Sequence, residues 1–346
     1  MIVDDSPTAR AVLARKFEAD PRLVVVGRAV DGIDALEQVA TLRPDVITLD
    51  IEMPRLNGLQ TLERLMREHP TPVVMVSSLT KKGAEATLTA LELGAVDFIE
   101  KPTRNGIIVG AAVDAALCDK VHAAARARVR TRTGVGAAAP PPAAPPVRRE
   151  RAWARKTVVI ASSTGGPQAV RAVLTALPAD FPAPIVVVQH MPAGFTRTFA
   201  DRMHELGPLP AAEARRGDTL QPGHVLIAPG GSHLVVDMQG VVQLTQGEVE
   251  CGVRPAANVT MASIAAARGF ATIGVVLTGM GHDGTRGAGL IRAAGGYVIT
   301  EAEATCVVYG MPRSVVEAGH TNAMVPLHEI AAAIVDRCQL PARIAS

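Results

Sequence analysis

Residues 123–156 read AAARARVRTRTGVGAAAPPPAAPPVRRERAWARK, and no other stretch limits the fold of this chain so strongly. Ala, Pro, Gly and Arg here follow neither the 3.6-residue period of a buried helix nor the two-residue period of a strand, so the stretch has no face to bury. Its prolines favour an extended, semi-stiff spacer, and its arginines read as the solvated surface of that spacer rather than as an anion site. A chain of 346 residues interrupted in this way is expected to form two units: residues 1–120, a linker over 121–156, and residues 157–346.

Composition excludes several function classes. Hydrophobic residues make up 48% and charged residues 20%, the balance of an ordinary globular protein. A net charge of +2 gives little attraction for nucleic acid, and 3% aromatics leave few platforms for stacking bases. Cys118, Cys251, Cys306 and Cys338 are scattered without a CxxC pair, so neither a disulfide framework nor a zinc site is expected. No apolar run approaches the ~18 residues of a membrane span and no leader pattern opens the chain. The expectation is a soluble, reduced, cytoplasmic protein without membrane insertion.

In the first unit "LVVVGRA", "DVITLD", "PVVMVSS" and "AVDFIEK" read as buried strands, and "DALEQVATL", "GLQTLERLMRE" and "GAEATLTALELG" as the helices between them. With "IV" at positions 2 and 3 as a clipped first strand, this predicts five βα units: a doubly wound, five-stranded parallel sheet. Ligands of such sheets sit at the carboxyl ends of the strands. Asp4 and Asp5 follow the first strand and Asp50 ends the third, which places three carboxylates in one crevice. Like charges so arranged call for a shared hard cation such as Mg²⁺. An Asp can accept a phosphoryl group there, with Lys101 to neutralise it and Ser77 to donate a hydrogen bond.

The pattern "VDDS…TLDIEMPRLNG…MVSS…DFIEKP" closely resembles the receiver domain of two-component response regulators over nearly all of residues 1–120. The resemblance implies Asp50 as phospho-acceptor and a histidine kinase as phosphodonor. It implies Mg²⁺ held by Asp4, Asp5, Asp50 and the backbone carbonyl of Glu52, Ser77 and Phe98 as switch residues, and Lys101 as the phosphate's partner. Only three residues precede Asp4 where such a domain normally has a full strand, a departure expected to bear on the receiver's stability but not on its identity.

The second unit alternates similarly: "TVVIA", "PIVVVQH", "ATIGVVLTG" and "GYVIT" read as strands, "PQAVRAVLTAL" and "RTFADRMHEL" as helices. Residues 209–250 carry several Gly/Pro turns and read as short antiparallel strands, so a second α/β domain with a mainly parallel sheet and a small antiparallel insert is expected. Its first strand stops at "SSTGGP", a turn with side-by-side hydroxyls. Such residues commonly cap a helix. Alternatively Ser163 is a nucleophile, which then needs a base and a group to orient it. His190 ends a buried strand at the same sheet edge, and Asp283 lies in the glycine-rich turn after another. His282 and His233 remain rivals for the base, while His69, His122, His204, His320 and His328 read as surface residues. Backbone N–H groups at Thr164 in the "TGG" turn, or at Met280 in "TGMG", are candidates for an oxyanion hole. The order Ser, His, Asp and the A-x-S-x-G turn disfavour an ordinary lipase or esterase.

"ASSTGGPQAV", "QHMPAGFTRTFADRM", "GDTLQPGHVLIAPGGSHL", "VVLTGMGHDGTRGA" and "EATCVVYGMPRSVVEAG" together resemble the chemotaxis protein-glutamate methylesterase family; with the receiver and linker the resemblance covers almost the whole chain. It implies hydrolysis of glutamyl γ-methyl esters on methylated chemoreceptors and deamidation of receptor glutamines, with Ser163 as nucleophile, His190 as base, Asp283 as its orienter, and no cofactor for the esterase. Ser162 then reads as a cap or neighbour. The family's R-P-S-x-D run is "RPAAN" here, so Ala256 and Asn258 lack a hydroxyl and a carboxylate, and helix capping or substrate contacts are expected to differ. Two rival functions fit less well. A DNA-binding regulator needs a helix-turn-helix and a basic face, whereas a silent receptor- or kinase-binding module has no use for the three strand-end residues.

Overall fold

The structure, a computed structural model, describes residues 1–78, 80–101, 111–127 and 156–339. Residues 128–155 of the expected linker lie outside them, and its first residues belong instead to the last helix of the first unit. That unit runs β1 (Ile2–Val3), α1 (Pro7–Glu18), β2 (Arg28–Ala29), α2 (Gly32–Leu42), β3 (Ile47–Asp50), α3 (Gly58–Glu68), β4 (Val73–Ser77), α4 (Lys81–Leu93), β5 (Asp97–Glu100) and α5 (Ala111–Ala125). Its strands pair in the order β2-β1-β3-β4-β5, all parallel. The expected strand over "LVVVGRA" shrinks to Arg28–Ala29, because β1 offers only Ile2 and Val3 as ladder partners. Val24 and Val26 are accordingly left 80% and 47% exposed.

The second unit runs β6 (Thr157–Ser162), α6 (Gly166–Thr175), β7 (Ile185–Gln189), α7 (Phe195–Leu206), β8 (Ala211–Glu213), β9 (Val225–Ile227), β10 (His233–Val236), β11 (Val242–Thr245), α8 (Ala257–Arg268), β12 (Thr272–Val276), α9 (Thr285–Ala293), β13 (Tyr297–Glu301), α10 (Met311–Glu317), β14 (Ala323–Val325) and α11 (Leu327–Gln339). Seven strands form one parallel sheet in the order β14-β13-β12-β6-β7-β9-β8. The antiparallel insert is thereby smaller than expected. β8 and β9 join the main sheet in parallel, and among the strands of the described residues only β10 and β11 pair antiparallel. The central strands are apolar on both faces, as a sheet covered by helices on either side requires.

Helix starts differ between the units. Ser6, Asp31, Asn57 and Thr80 cap α1 to α4 with side-chain oxygens. Three helices around the ends of β6, β7 and β12 instead begin on Gly165, Gly194 and Gly284, at φ 74, 88 and 92°, with no capping side chain. Their first N–H groups are taken up by preceding carbonyls, Gly166 by Ser163 O at 2.8 Å, Phe195 by Pro192 O at 3.3 Å and Thr285 by His282 O at 3.2 Å. One apolar cluster continues from Leu88, Leu91 and Phe98 of the first unit into Phe195, Phe199 and Met203 of the second.

Candidate functional site

β12, β6 and β7 lie side by side at the centre of the larger sheet, and the strand order reverses there, since the chain leaves β6 for β7 on one side and later returns to β12 on the other. Crevices at such reversals are where ligands of open α/β sheets bind. Ser163 and His190 follow directly on β6 and β7. The ladder runs past the strand ends, with His190 N–H donating to Ser162 O at 3.1 Å and Ser163 N–H to Thr278 O at 3.1 Å. Ser163 is thus pinned between the ends of both neighbouring strands. Gly279 permits this approach: a Cβ there would lie 2.8 Å from Ser163 Cβ.

Asp283 does not close β12 as a strand-end residue. It lies in the loop before α9 and reaches back, placing Oδ2 at 2.7 Å from His190 Nε2. The same carboxylate caps α8, accepting from Ala257 N–H at 2.6 Å and Asn258 N–H at 2.9 Å. Ala256, at the N-cap of that helix, has no side chain to do so. Burial by itself would raise the Asp283 carboxyl, but the hydrogen bond and charge of His190 and the two backbone donors outweigh it and hold it below the ordinary carboxylate range. Asn258 adds a brace, its Oδ1 accepting from Gly284 N–H at 3.0 Å and Gly287 N–H at 2.9 Å. The expected change in capping at positions 256 and 258 therefore resolves into Asp283 and Asn258 stitching α8 to α9.

The rival histidines separate by their partners. His233 is 1% exposed; its Nδ1 accepts from Ala256 N–H at 3.1 Å, which leaves Nε2–H to donate to Glu248 O at 2.9 Å. Both ring nitrogens are committed to holding backbone. His282 is exposed beside the site. The Ser163 hydroxyl has no hydrogen-bond partner among the described residues, so the candidate nucleophile and the candidate base are not bonded to each other, as is common for such pairs before substrate binds. The backbone N–H groups of Thr164 and Met280 likewise have no acceptor among the described residues. Ser162 is no cap: it is fully buried and donates to Gln189 Oε1 at 2.7 Å.

In the smaller sheet Asp4, Asp5 and Asp50 bring carboxylate oxygens within 4.8 Å of one another. Lys101 Nζ lies 2.7 Å from Asp50 Oδ2 and 3.1 Å from Asp4 Oδ2. Burial, with the Asp4 charge adding to it, pushes Asp50 up to about 6 against the pull of Lys101. Asp4 Oδ2 is buried with the Lys101 ammonium as its partner, and three carboxylates this close together make an all-oxygen set that fits a hard divalent cation. Glu52 lies exposed on the rim of the same cleft, which has a volume of about 610 Å³. Ser77 also lines it, with its hydroxyl donating to Gly83 O at 3.2 Å.

The two sites meet through β5. Phe98, 2% exposed, stacks on Phe195 at a centroid distance of 4.6 Å. Its neighbour Asp97 accepts from Thr164 Oγ1 at 2.6 Å, one residue from Ser163. Gln168 Nε2 donates to Ala95 O at 3.1 Å, and Arg202 pairs in a fork with Glu92, Nε and Nη2 each at 3.0 Å. Sequence reasoning missed Asp97, Phe195 and Gln189, although Gln189 directly before His190 was visible as a polar residue ending an apolar strand.

A family model described as CheB methylesterase matches residues 158–334, and one described as response regulator receiver domain matches residues 1–112. A protein-glutamate methylesterase/protein-glutamine glutaminase of Symbiobacterium thermophilum is 49% identical over 344 residues, covering 96% of this chain and 95% of that protein. One from Pseudomonas aeruginosa is 47% identical over 341 residues, covering 97% and 96%. The crystal structure of the Thermotoga maritima CheB methylesterase catalytic domain matches with a TM-score of 0.52 and 44% identity, over 53% of this chain and 99% of that one.

Proposed function

The chain belongs to the CheB methylesterase family and carries a response regulator receiver domain, and from that premise we propose that it is a phosphorylation-regulated hydrolase of glutamate γ-methyl esters on chemoreceptors, which also deamidates receptor glutamines. The observation that carries the reading is the 2.7 Å His190–Asp283 pair set beside Ser163 at the reversal of strand order. Asp283, ionised, accepts from Nε2–H, so Nδ1 is the basic nitrogen left for the Ser163 proton. Ser163 Oγ attacks the ester carbonyl while His190 takes its proton. The resulting oxyanion is met by the open N–H groups of Thr164 and Met280. His190 then protonates the departing methanol, or ammonia from a glutamine, leaving an acyl-Ser163 ester. Water, deprotonated by the same ring, cleaves that ester to glutamate and restores the serine.

Control comes from the receiver. Asp50 is the phospho-acceptor, and Asp4, Asp5, Asp50 and the Glu52 carbonyl would hold Mg²⁺, which when bound offsets the charge of the transferring phosphoryl group. Lys101 neutralises the phosphoryl oxygens, and Ser77 must turn from Gly83 O to reach them. The phosphodonor is a histidine kinase. With Thr164 held by Asp97 and Phe195 covered by Phe98, the unphosphorylated receiver sits on the catalytic turns and keeps the receptor out. Adding about −2 charge at Asp50 repacks β5 and loosens that grip. Among the described residues no helix is long and apolar enough to cross a membrane. The test is methanol release from methyl-labelled receptor, with and without a small phosphodonor and Mg²⁺. Stimulated release that Ser163→Ala abolishes is expected; release unchanged in Ser163→Ala would refute the assignment.

A further inference from the structure

The last hydrogen bond of the β6–β7 ladder joins His190 N–H to Ser162 O at 3.1 Å, and no further backbone bond between the two segments follows it among the described residues. One side chain continues the connection. Gln189 is 2% exposed and lies directly opposite Ser162 in the register. Its Nε2 donates to Ser163 O at 3.0 Å and to His190 O at 3.2 Å, and its Oε1 accepts from Ser162 Oγ at 2.7 Å. The two carbonyls need donors and the hydroxyl supplies one, so the orientation of the amide follows from its partners. The turn is built around this group. Gly166 has no room for a side chain, since a Cβ there would strike Gln189 Oε1 and lie 2.8 Å from Ser162 Cβ.

We infer that Gln189 is a positioning residue for the hydrolysis: its planar amide locks the peptide of the nucleophile to the peptide of the base, and Ser162 fixes the orientation of that amide. The inference rests on the Ser163–His190 reading above. Gln189 touches neither substrate nor reacting atoms. It acts by holding two backbones that otherwise diverge into separate turns, one toward α6 and the other toward α7. This also gives the paired hydroxyls of the turn distinct tasks, Ser163 for chemistry and Ser162 for the geometry behind it. Without the amide, Ser163 O keeps a bond from Gly166 N–H at 2.8 Å, and the Gln189 bridge to His190 is lost. A drift of about 1 Å between catalytic groups costs up to 100-fold in rate.

The experiment uses the full chain, stimulated by a small phosphodonor with Mg²⁺, on methylated receptor, with kcat, KM and melting temperature measured for Gln189→Met, Ser162→Ala and Ser163→Ala. Gln189→Met keeps the length and loses all three hydrogen bonds; we expect kcat to fall about 30-fold with KM changed by less than about twofold. Ser162→Ala, which only frees the amide to turn, is expected to lose about fivefold in kcat. Melting should remain a single cooperative transition in both. A folded variant of either kind with kcat within about twofold of the parent, or with the loss appearing in KM alone, overturns the inference. If Gln189→Met does not fold, Ser162→Ala decides by the same criterion. Ser163→Ala separates the two readings: if it stays active, the nucleophile assignment has failed; if it is inactive while Gln189→Met is normal, only the role of Gln189 has failed.

Discussion

Asp97→Ala should release the catalytic edge without touching it. Asp97 is 7% exposed and accepts the Thr164 hydroxyl at 2.6 Å, the length of a charge-assisted bond. Thr164 is 1% exposed, so with Ala at position 97 its hydroxyl remains buried without an acceptor for as long as the two units stay docked. Hydrogen bonds to charged groups contribute about 1.5–3 kcal/mol, and a stranded buried donor costs a similar amount. In the separated state water serves the same hydroxyl, so the penalty falls on the docked state alone. A shift of about 2 kcal/mol raises the open-to-closed ratio roughly 30-fold. The Phe98–Phe195 stack and the Glu92–Arg202 fork persist, so docking is weakened rather than abolished. Lys120, 3.4 Å from Asp97, keeps its bond to Phe98 O at 3.0 Å. Methanol release by the unphosphorylated full chain should therefore rise at least about tenfold, while the rate with phosphodonor changes little. Asp97→Asn, which keeps an acceptor but loses the charge, should fall between. A basal rate within about twofold of the parent in Asp97→Ala, with stimulation intact, would refute the argument that this bond holds the closed state.

His190→Gln should lower turnover by several orders of magnitude whereas His282→Gln stays close to the parent; steady-state methanol release distinguishes them, and the reverse pattern would exclude His190 as base. His233→Gln should act on stability, because both ring nitrogens of this buried residue hold backbone; we expect a loss of about 1–3 kcal/mol in denaturant unfolding. Asp283 has a folded pKa depressed below its unfolded value. Its contribution is thus fully present above the unfolded pKa of about 3.9 and is lost as pH falls through the lower folded value. Unfolding free energy measured from pH 5 downward should decline less steeply in Asp283→Asn. Asp50→Asn should lose stimulation by phosphodonor in the same methanol assay.

Much of the architecture follows from local sequence. The apolar runs at 157–162, 185–189 and 272–276 are long enough to define buried strands by themselves, and the glycine-rich turns after them mark where a parallel sheet presents its working edge. Ser163 and His190 were legible for that reason, as was the Asp4, Asp5 and Asp50 cluster: each sits at or just past a strand end, where direction is set by the strand. Asp283 was legible as a residue but not as a geometry, because its loop is shaped by contacts with α8 that lie far away in the chain. β2 and the 209–250 region show the same limit. A run of valines becomes a strand only where a neighbour offers ladder partners, and β8 and β9 join the large sheet because β7 has a free edge, which their own sequence does not encode. The identities of Gln189 and Asp97 were plain in the sequence, but their partners come from other strands or from the other unit. Side-chain hydrogen bonds of this kind depend on distances that only the packed chain establishes, so the parts of the site that hold rather than react were decided by tertiary structure.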